Sequence, residues 1–176
     1  MTEYKLAISM VPPLLWGQNL RNRLPRSRWN KLRKEVFAAQ PNCSICGAVV
    51  DGADRHAHEE WQYEIGRGRK IGTAVLVRIR TICRLCHFVE HPGLANILIA
   101  QGHVPQDFRE TIERHFCSIN ACSREAFHRH LVDADALFKK RIAVGQWKID
   151  FGPYKTWLEE SGGRIRLAAT AVGESS

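Results

Sequence analysis

Apolar residues recur along the chain with two periods, and the switch between them marks out the expected elements. From Ser27, the positions Trp29, Leu32, Val36 and Phe37 fall on one side of a helix, with Ser27 placed to cap its start and Pro41 past its end. A basic amphipathic helix is expected there. The run Thr73-Ala74-Val75-Leu76-Val77-Arg78-Ile79-Arg80-Thr81-Ile82 is rich in β-branched residues and reads as one arm of a hairpin, with Gly66-Arg67-Gly68-Arg69 as its basic tip. Tyr4–Met10 reads as a short strand, followed by an extended passage at Pro12-Pro13. Helices are expected over Arg84–His91 and about Leu94–Gln101, separated by Pro92-Gly93, then near 106–117 and 123–141, the last with Ser123 as N-cap. Trp147–Phe151 suggests one more strand, and the small, polar residues from Gly162 onward read as a mobile tail. The pattern is α+β.

A chain of 176 residues can form one core of ordinary size. The expected organisation is a basic arm and helix over 1–42, a core over 43–101, a helical extension over 102–160 and a flexible tail over 161–176. No stretch approaches the roughly 20 apolar residues that span a bilayer, so no membrane insertion is expected. The first residues carry Glu3 and lack a small-residue cleavage site behind a clean apolar segment, so no secretory signal is read and the cytoplasm is the expected compartment.

Charge narrows the range of partners. The formal net charge is +8. Residues 1–42 hold eight basic residues against Glu3 and Glu35, a local excess of +6. A second stretch, from Ile65 to Val89, carries Arg67, Arg69, Lys70, Arg78, Arg80 and Arg84 with no acidic residue. Two such segments suit a polyanion, because lysines and arginines that neutralise phosphates release counterions; a solvated surface is the bland alternative.

Six cysteines in a reducing compartment point to metal ligation before disulfides. Cys43-Ser44-Ile45-Cys46-Gly47 and Cys83-Arg84-Leu85-Cys86 have the spacing that brings paired thiolates to one tetrahedral ion, and Gly47 tolerates the positive φ of a tight knuckle. A structural Zn²⁺ on Cys43, Cys46, Cys83 and Cys86 is therefore expected. The intervening stretch is longer than the roughly 15–20 residues of a simple zinc ribbon, so it holds more than a turn. Histidines cluster beside both pairs, in His56-Ala57-His58-Glu59-Glu60-Trp61 and in His87-Phe88-Val89-Glu90-His91. On a helix His87 and His91 lie one turn apart on one face and can share a divalent cation, while His58 could act on water as a general base. Capping or competition for zinc is the structural alternative for that pair. Further along, His115, Cys117, Cys122, His128 and His130 read as helical packing around Phe116, Phe127 and Leu131 rather than a further metal cluster.

The order Cys-x2-Cys, His-Glu-x-Trp, then Ile-Cys-x2-Cys-His-x3-His over about residues 43–93 resembles the HNH nucleases, whose ββα-metal (His-Me) finger is often buttressed by a four-cysteine zinc site. The subset with a His-Glu-x-Trp start fits His58, Glu59 and Trp61. The resemblance implies a ββα-metal finger on a treble-clef-like zinc core, flanked here by the N-terminal basic helix and the C-terminal helical extension. It implies His58 as general base, His87 and His91 as ligands of a second divalent cation (Mg²⁺, Mn²⁺, Ni²⁺ or Zn²⁺), and Trp61 as a packing residue.

Two positions depart from the family pattern. Ala57 stands where an additional Asp or His ligand is common, leaving His56 and Glu59 as the nearest substitutes; Glu59 needs a bend to join His58, since neighbours on a strand face apart. Arg78 stands where the family's middle Asn is expected, and is either a catalytic contact to the scissile phosphate or a surface charge. The implied activity is metal-dependent hydrolysis of phosphodiester bonds in double-stranded DNA, with Arg67, Arg69, Lys70 and Arg80 holding the backbone. The competing expectation is a catalytically inactive zinc-stabilised module that binds nucleic acid or protein. A protein partner or a second copy of the chain is compatible with either.

Overall fold

The computed structural model describes residues 4–68 and 70–159. Arg69, residue 160 and the expected tail over 161–176 lie outside the described residues. Two long strands, β1 (Arg55–Ile65) and β2 (Ile71–Cys83), form an antiparallel hairpin running from Arg55↔Cys83 to Ile65↔Gly72. A short strand, β3 (Gln146–Asp150), joins the other edge of β2 in parallel, completing a three-stranded sheet. The helices are α1 (Leu20–Arg23), α2 (Arg26–Ala39), α3 (Arg84–Glu90), α4 (Pro92–Ala100), α5 (Phe108–Asn120), α6 (Arg124–Ile142) and α7 (Lys155–Glu159). The chain is thus α+β, and β1, β2 and α3 follow one another without interruption. No helix among the described residues is long and apolar enough to cross a membrane.

Two main cores flank the hairpin. Trp29, Leu32 and Val36, the expected apolar face of α2, pack with Leu20, Leu76, Ile79, Phe151 and Leu158. This helix starts a little earlier than the Ser27 cap implied: its N-cap is Pro25, whose carbonyl accepts from the amide of Trp29 at 3.0 Å, and the ring of Pro25 presets φ at −53°. The other core joins Ile45, Ile82, Cys86 and Val89 to Ile112, Phe116 and Phe127 of α5 and α6, so the cysteine-bearing segments rest on the C-terminal helices. Leu76 and Ile82, fully buried one on each side, each contribute about 1.5–3 kcal/mol by area.

A β-bulge determines which residues share a face. Glu60 pairs with Arg78 but Trp61 pairs with Leu76, so Val77 is the extra residue on β2. Its insertion resets the alternation: Leu76 and Ile79 both enter the α2 core, and Arg78 and Arg80 turn to the face of His58 and Glu60. Gly72 is required at the start of β2, since a Cβ there would lie 2.6 Å from the ring of Trp147, its partner in β3.

The expected strand over Tyr4–Met10 is absent. Its backbone groups pair with side chains and, at Ser9, with the Glu90 carbonyl at 2.9 Å, rather than with a neighbouring strand. Asn120 accepts from the amide of Leu6 at 3.0 Å and donates to its carbonyl at 2.8 Å. His130 accepts from the amide of Ile8 at 2.9 Å and Arg141 donates to the carbonyl of Met10 at 3.0 Å. A lone extended segment needs such partners, because buried peptide groups left unpaired are costly.

Candidate metal centre and histidine cleft

The two cysteine pairs meet. The Sγ atoms of Cys43, Cys46, Cys83 and Cys86 all lie within 4.8 Å of one another, with Cys46 and Cys83 3.7 Å apart. Tetrahedral zinc thiolates with bonds near 2.3 Å have S···S edges of about 3.8 Å, so the donor set fits a structural zinc ion. Local geometry supports each pair. The first knuckle closes through Gly47 N–H to the Cys43 carbonyl at 2.8 Å, with Gly47 at φ 79°. In the second, Cys83 caps α3, its sulfur accepting from the amide of Cys86 at 3.4 Å. Hydrogen bonds from Cys83 and Cys86 hold the Cys43 thiol far below its ordinary range, while the contact with Cys43 pushes Cys83 up to about 11 and Cys86 upward as well. One thiolate forms readily and opposes ionisation of its neighbours. A dication is the group that allows all four to ionise together.

Beyond Cys86 the same helix delivers the histidines. His87 follows directly, and His91 closes the helix with its amide bonded to the His87 carbonyl at 3.0 Å. His58 projects from the interior of β1 and meets them: donor nitrogens of His58, His87 and His91 lie within 4.8 Å of one another. The ring centroids are 5.1 Å apart for His58–His91 and His87–His91, and 5.5 Å for His58–His87. Burial lowers His87 to about 2, with His91 and His58 adding to the effect, and burial lowers His91 to about 4. Both are neutral at physiological pH, as metal-ligating imidazoles must be. The Ser9 carbonyl lies 3.1 Å from Nδ1 of His91, and since a carbonyl only accepts, Nδ1 carries the proton and Nε2 the lone pair.

Other expected site residues land elsewhere. Glu59 is not with the histidines: its carboxylate accepts from the amides of Leu20 and Arg21 at 3.0 and 3.1 Å and from Trp61 Nε1 at 3.2 Å. The bulge lies beyond it, so no bend carries it to the face of His58. Arg80 is not a free phosphate contact, because its side chain is only 13 % exposed and is tied to Glu60 at 3.1 Å and Glu90 at 2.6 Å. Arg78 is exposed but paired with Glu60 at 2.7 Å, and it borders a separate cavity of about 510 Å³ with Lys5, Glu60 and Arg80, not the histidines. A catalytic contact from Arg78 to a phosphate held at the histidines is therefore not provided. Arg67 and Lys70 are exposed in the turn of the hairpin, and Arg69 lies outside the described residues.

Of three further residues at the site, sequence reasoning missed Glu90, named His56 only as a substitute ligand and took His115 for helical packing. Glu90, 5 % exposed, places Oε2 2.7 Å from His58 Nε2. Burial would raise its carboxyl, but contact with His58 and the charge of Arg80 outweigh this and hold it below the usual range. His56 stacks on His87 with centroids 4.7 Å apart and an interplanar angle of 12°, and its Nε2 is buried without a protein partner. His115 reaches from α5 to place Nε2 3.2 Å from the sulfur of Cys86. For Glu90 the one signal was its place between the paired histidines; for His115 there was none. His130, by contrast, is the packing residue expected, stacked on Phe116.

The histidines open onto a cleft of about 800 Å³ walled by Trp16, Trp61, Leu94 and Ile97, with the exposed Arg21 and Arg33 also lining it. The site therefore combines neutral imidazoles fit to hold a cation, a carboxylate-backed imidazole and nearby positive charge. No family model, curated protein or solved structure matches this chain.

Proposed function

We propose that the protein is a metal-dependent DNA endonuclease of the HNH type, hydrolysing phosphodiester bonds. The single observation that supports this most is the convergence of His58 with His87 and His91 directly beyond a four-cysteine cluster, on consecutive strand, strand and helix. His87 and His91 would hold a divalent cation, which when bound supplies positive charge to the phosphate and to the departing 3′ oxygen. His58 takes the proton of the attacking water, and Glu90 beside it stabilises the imidazolium that results. Arg21 and Arg33 attract the phosphate backbone towards the cleft, and Arg67 and Lys70 engage it at a distance. The four cysteines carry Zn²⁺ and keep α3 in register with the hairpin; this site is structural, since all four donors come from the chain.

The experiment is nicking of supercoiled plasmid with Mg²⁺, Mn²⁺ or Ni²⁺ by the wild type and by His58→Ala. Expected is metal-dependent nicking that falls by about 100-fold or more in the variant, the usual contribution of a general base. DNA binding without nicking in the wild type refutes the enzyme and leaves a nucleic-acid-binding module.

A further inference from the structure

The six cysteines divide into the four that converge on one point and two that stand apart from them, Cys117 in the last turn of α5 and Cys122 just past its end. The turn between these two brings them together. Beyond Asn120, Ala121 takes the left-handed conformation at φ 48° and ψ 47°, and no other non-glycine among the described residues has a positive φ. A side chain is strained there, so the chain on both sides must hold it. The amides of Ala121 and Cys122 both donate to the Cys117 carbonyl, the latter at 3.0 Å, a reversal that lays the residue past a helix end against the last turn. On one side Asn120 is moored to both backbone groups of Leu6; on the other Ser123 caps α6, its hydroxyl accepting from the amide of Ala126 at 3.3 Å. The Cys117 thiol donates to the Ser123 carbonyl at 3.5 Å and touches the thiol of Cys122. Both cysteines are partly exposed and free.

We propose that Cys117 and Cys122 are a reversible oxidation site, closed to a disulfide by exchange with a small-molecule disulfide such as oxidised glutathione. Either thiolate attacks a sulfur of the oxidant and releases one glutathione thiolate, leaving a mixed disulfide; the second cysteine then attacks the protein sulfur of that bond and releases the other. Two protein S–H groups become one S–S bond, the glutathione disulfide is reduced to two thiols, and the two protons pass through solvent to the departing thiolates. A disulfide needs Cβ atoms about 3.5–4.5 Å apart, and thiols already in contact across a fixed turn are close to that. The clustered four, once they hold a metal, have no free thiolate to offer. The new bond would tie the last turn of α5 to the residue beyond it and so fix Asn120, the anchor of Leu6, between its ends. The N-terminal segment runs on from that anchor to Met10 and Val11 in the wall of the histidine cleft, so oxidation tightens the mooring of that wall.

The bond forms or fails whether or not the chain cuts DNA. Trypsin cuts after Arg114 and Arg124, which leaves both cysteines on one peptide, residues 115–124. The full chain, reduced and supplied with Zn²⁺, is incubated with excess oxidised glutathione, its remaining thiols are alkylated, and the digest is read by mass spectrometry. Expected is a 115–124 peptide about 2 Da below its dithiol mass and closed to alkylation, restored by reduced glutathione, with the metal content unchanged. In Cys122→Ser the same peptide should carry glutathione on Cys117, the step at which exchange stalls without a partner. Oxidised wild type should melt about 4–9 °C above the reduced form, the worth of closing the short loop of residues 117–122 without strain, and the Leu6 amide should exchange more slowly. A 115–124 peptide that stays reduced, or that carries glutathione on both cysteines with no bond between them, overturns the proposal. So does a bond formed with a lowered Tm, because the turn would then have to distort to make it.

Discussion

Replacing Cys83 by Ser tests the thiolate cluster where its mechanical consequence is greatest. Cys83 ends β2, caps α3 and faces Cys46 across 37 residues of chain. Treated as a cross-link closing that loop, the metal removes unfolded-state entropy worth about 4 kcal/mol at 25 °C. Against a total stability of about 5–15 kcal/mol, that is a quarter of the whole or more. The variant also loses the sulfur that accepts the amide of Cys86. For a chain of this size, about 4 kcal/mol corresponds to a fall in Tm of roughly 8–16 °C. The assay pairs elemental analysis with thermal melts followed by circular dichroism, using Cys117→Ser, outside the cluster, as control. Expected is one tightly held zinc per chain in the wild type and the control, and loss of zinc together with a lowered or absent transition in Cys83→Ser. One zinc retained and an unchanged Tm in Cys83→Ser would refute the four-thiolate assignment and the argument that metal holds the hairpin to α3.

Gly72→Ala should cost about 1–3 kcal/mol, read as a shift in the urea midpoint, because the added methyl would overlap the Trp147 ring at 2.6 Å; an unchanged midpoint would mean that β3 does not pack on β2 as described. Asn120→Ala removes both partners of Leu6 and should destabilise by about 1–3 kcal/mol, with faster hydrogen exchange at the Leu6 and Ile8 amides; unchanged exchange counts against the docking of the N-terminal segment. In DNA binding, Arg67→Ala with Lys70→Ala should lower the slope of log K against log salt by about 2, one for each phosphate no longer neutralised, and an unchanged slope removes the hairpin tip from the interface.

What was legible in the sequence was local. The period of Trp29, Leu32 and Val36 described α2, the β-branched run described β2, and the spacing of His87 and His91 placed both on one helix end. The errors came where the partner is distant in the chain. Tyr4–Met10 looks like a strand because its composition suits extended backbone, yet Asn120, His130 and Arg141 complete it from the far end of the chain. The parallel pairing of β3 with β2 joins segments separated by both α5 and α6, and no periodicity encodes it. Simple alternation gave the correct side for Glu59 but no hint that the N-terminus of α1 waits there with two free amides.

Charge was the least legible quantity, and the reason bears on function. A stretch without acidic residues looked uniformly available to a polyanion, but the hairpin brings Glu60 to Arg78 and Arg80, and α3 brings Glu90 to Arg80. The basic run is thereby divided. Arg78 and Arg80 are held in ion pairs with Glu60 and Glu90, whereas Arg67 and Lys70 remain at the tip, eight or more positions further along the strands. At about 3.3 Å per residue the tip stands about 25 Å from His58, the length of roughly seven base pairs along a duplex. A flexible single strand has no need to meet both points at once, but a stiff duplex lying along the hairpin meets them together. Under the proposed nuclease reading, the spacing of the remaining cations favours a double-stranded substrate over a short unpaired one, and it does so through the ion pairs that occupy Arg78 and Arg80.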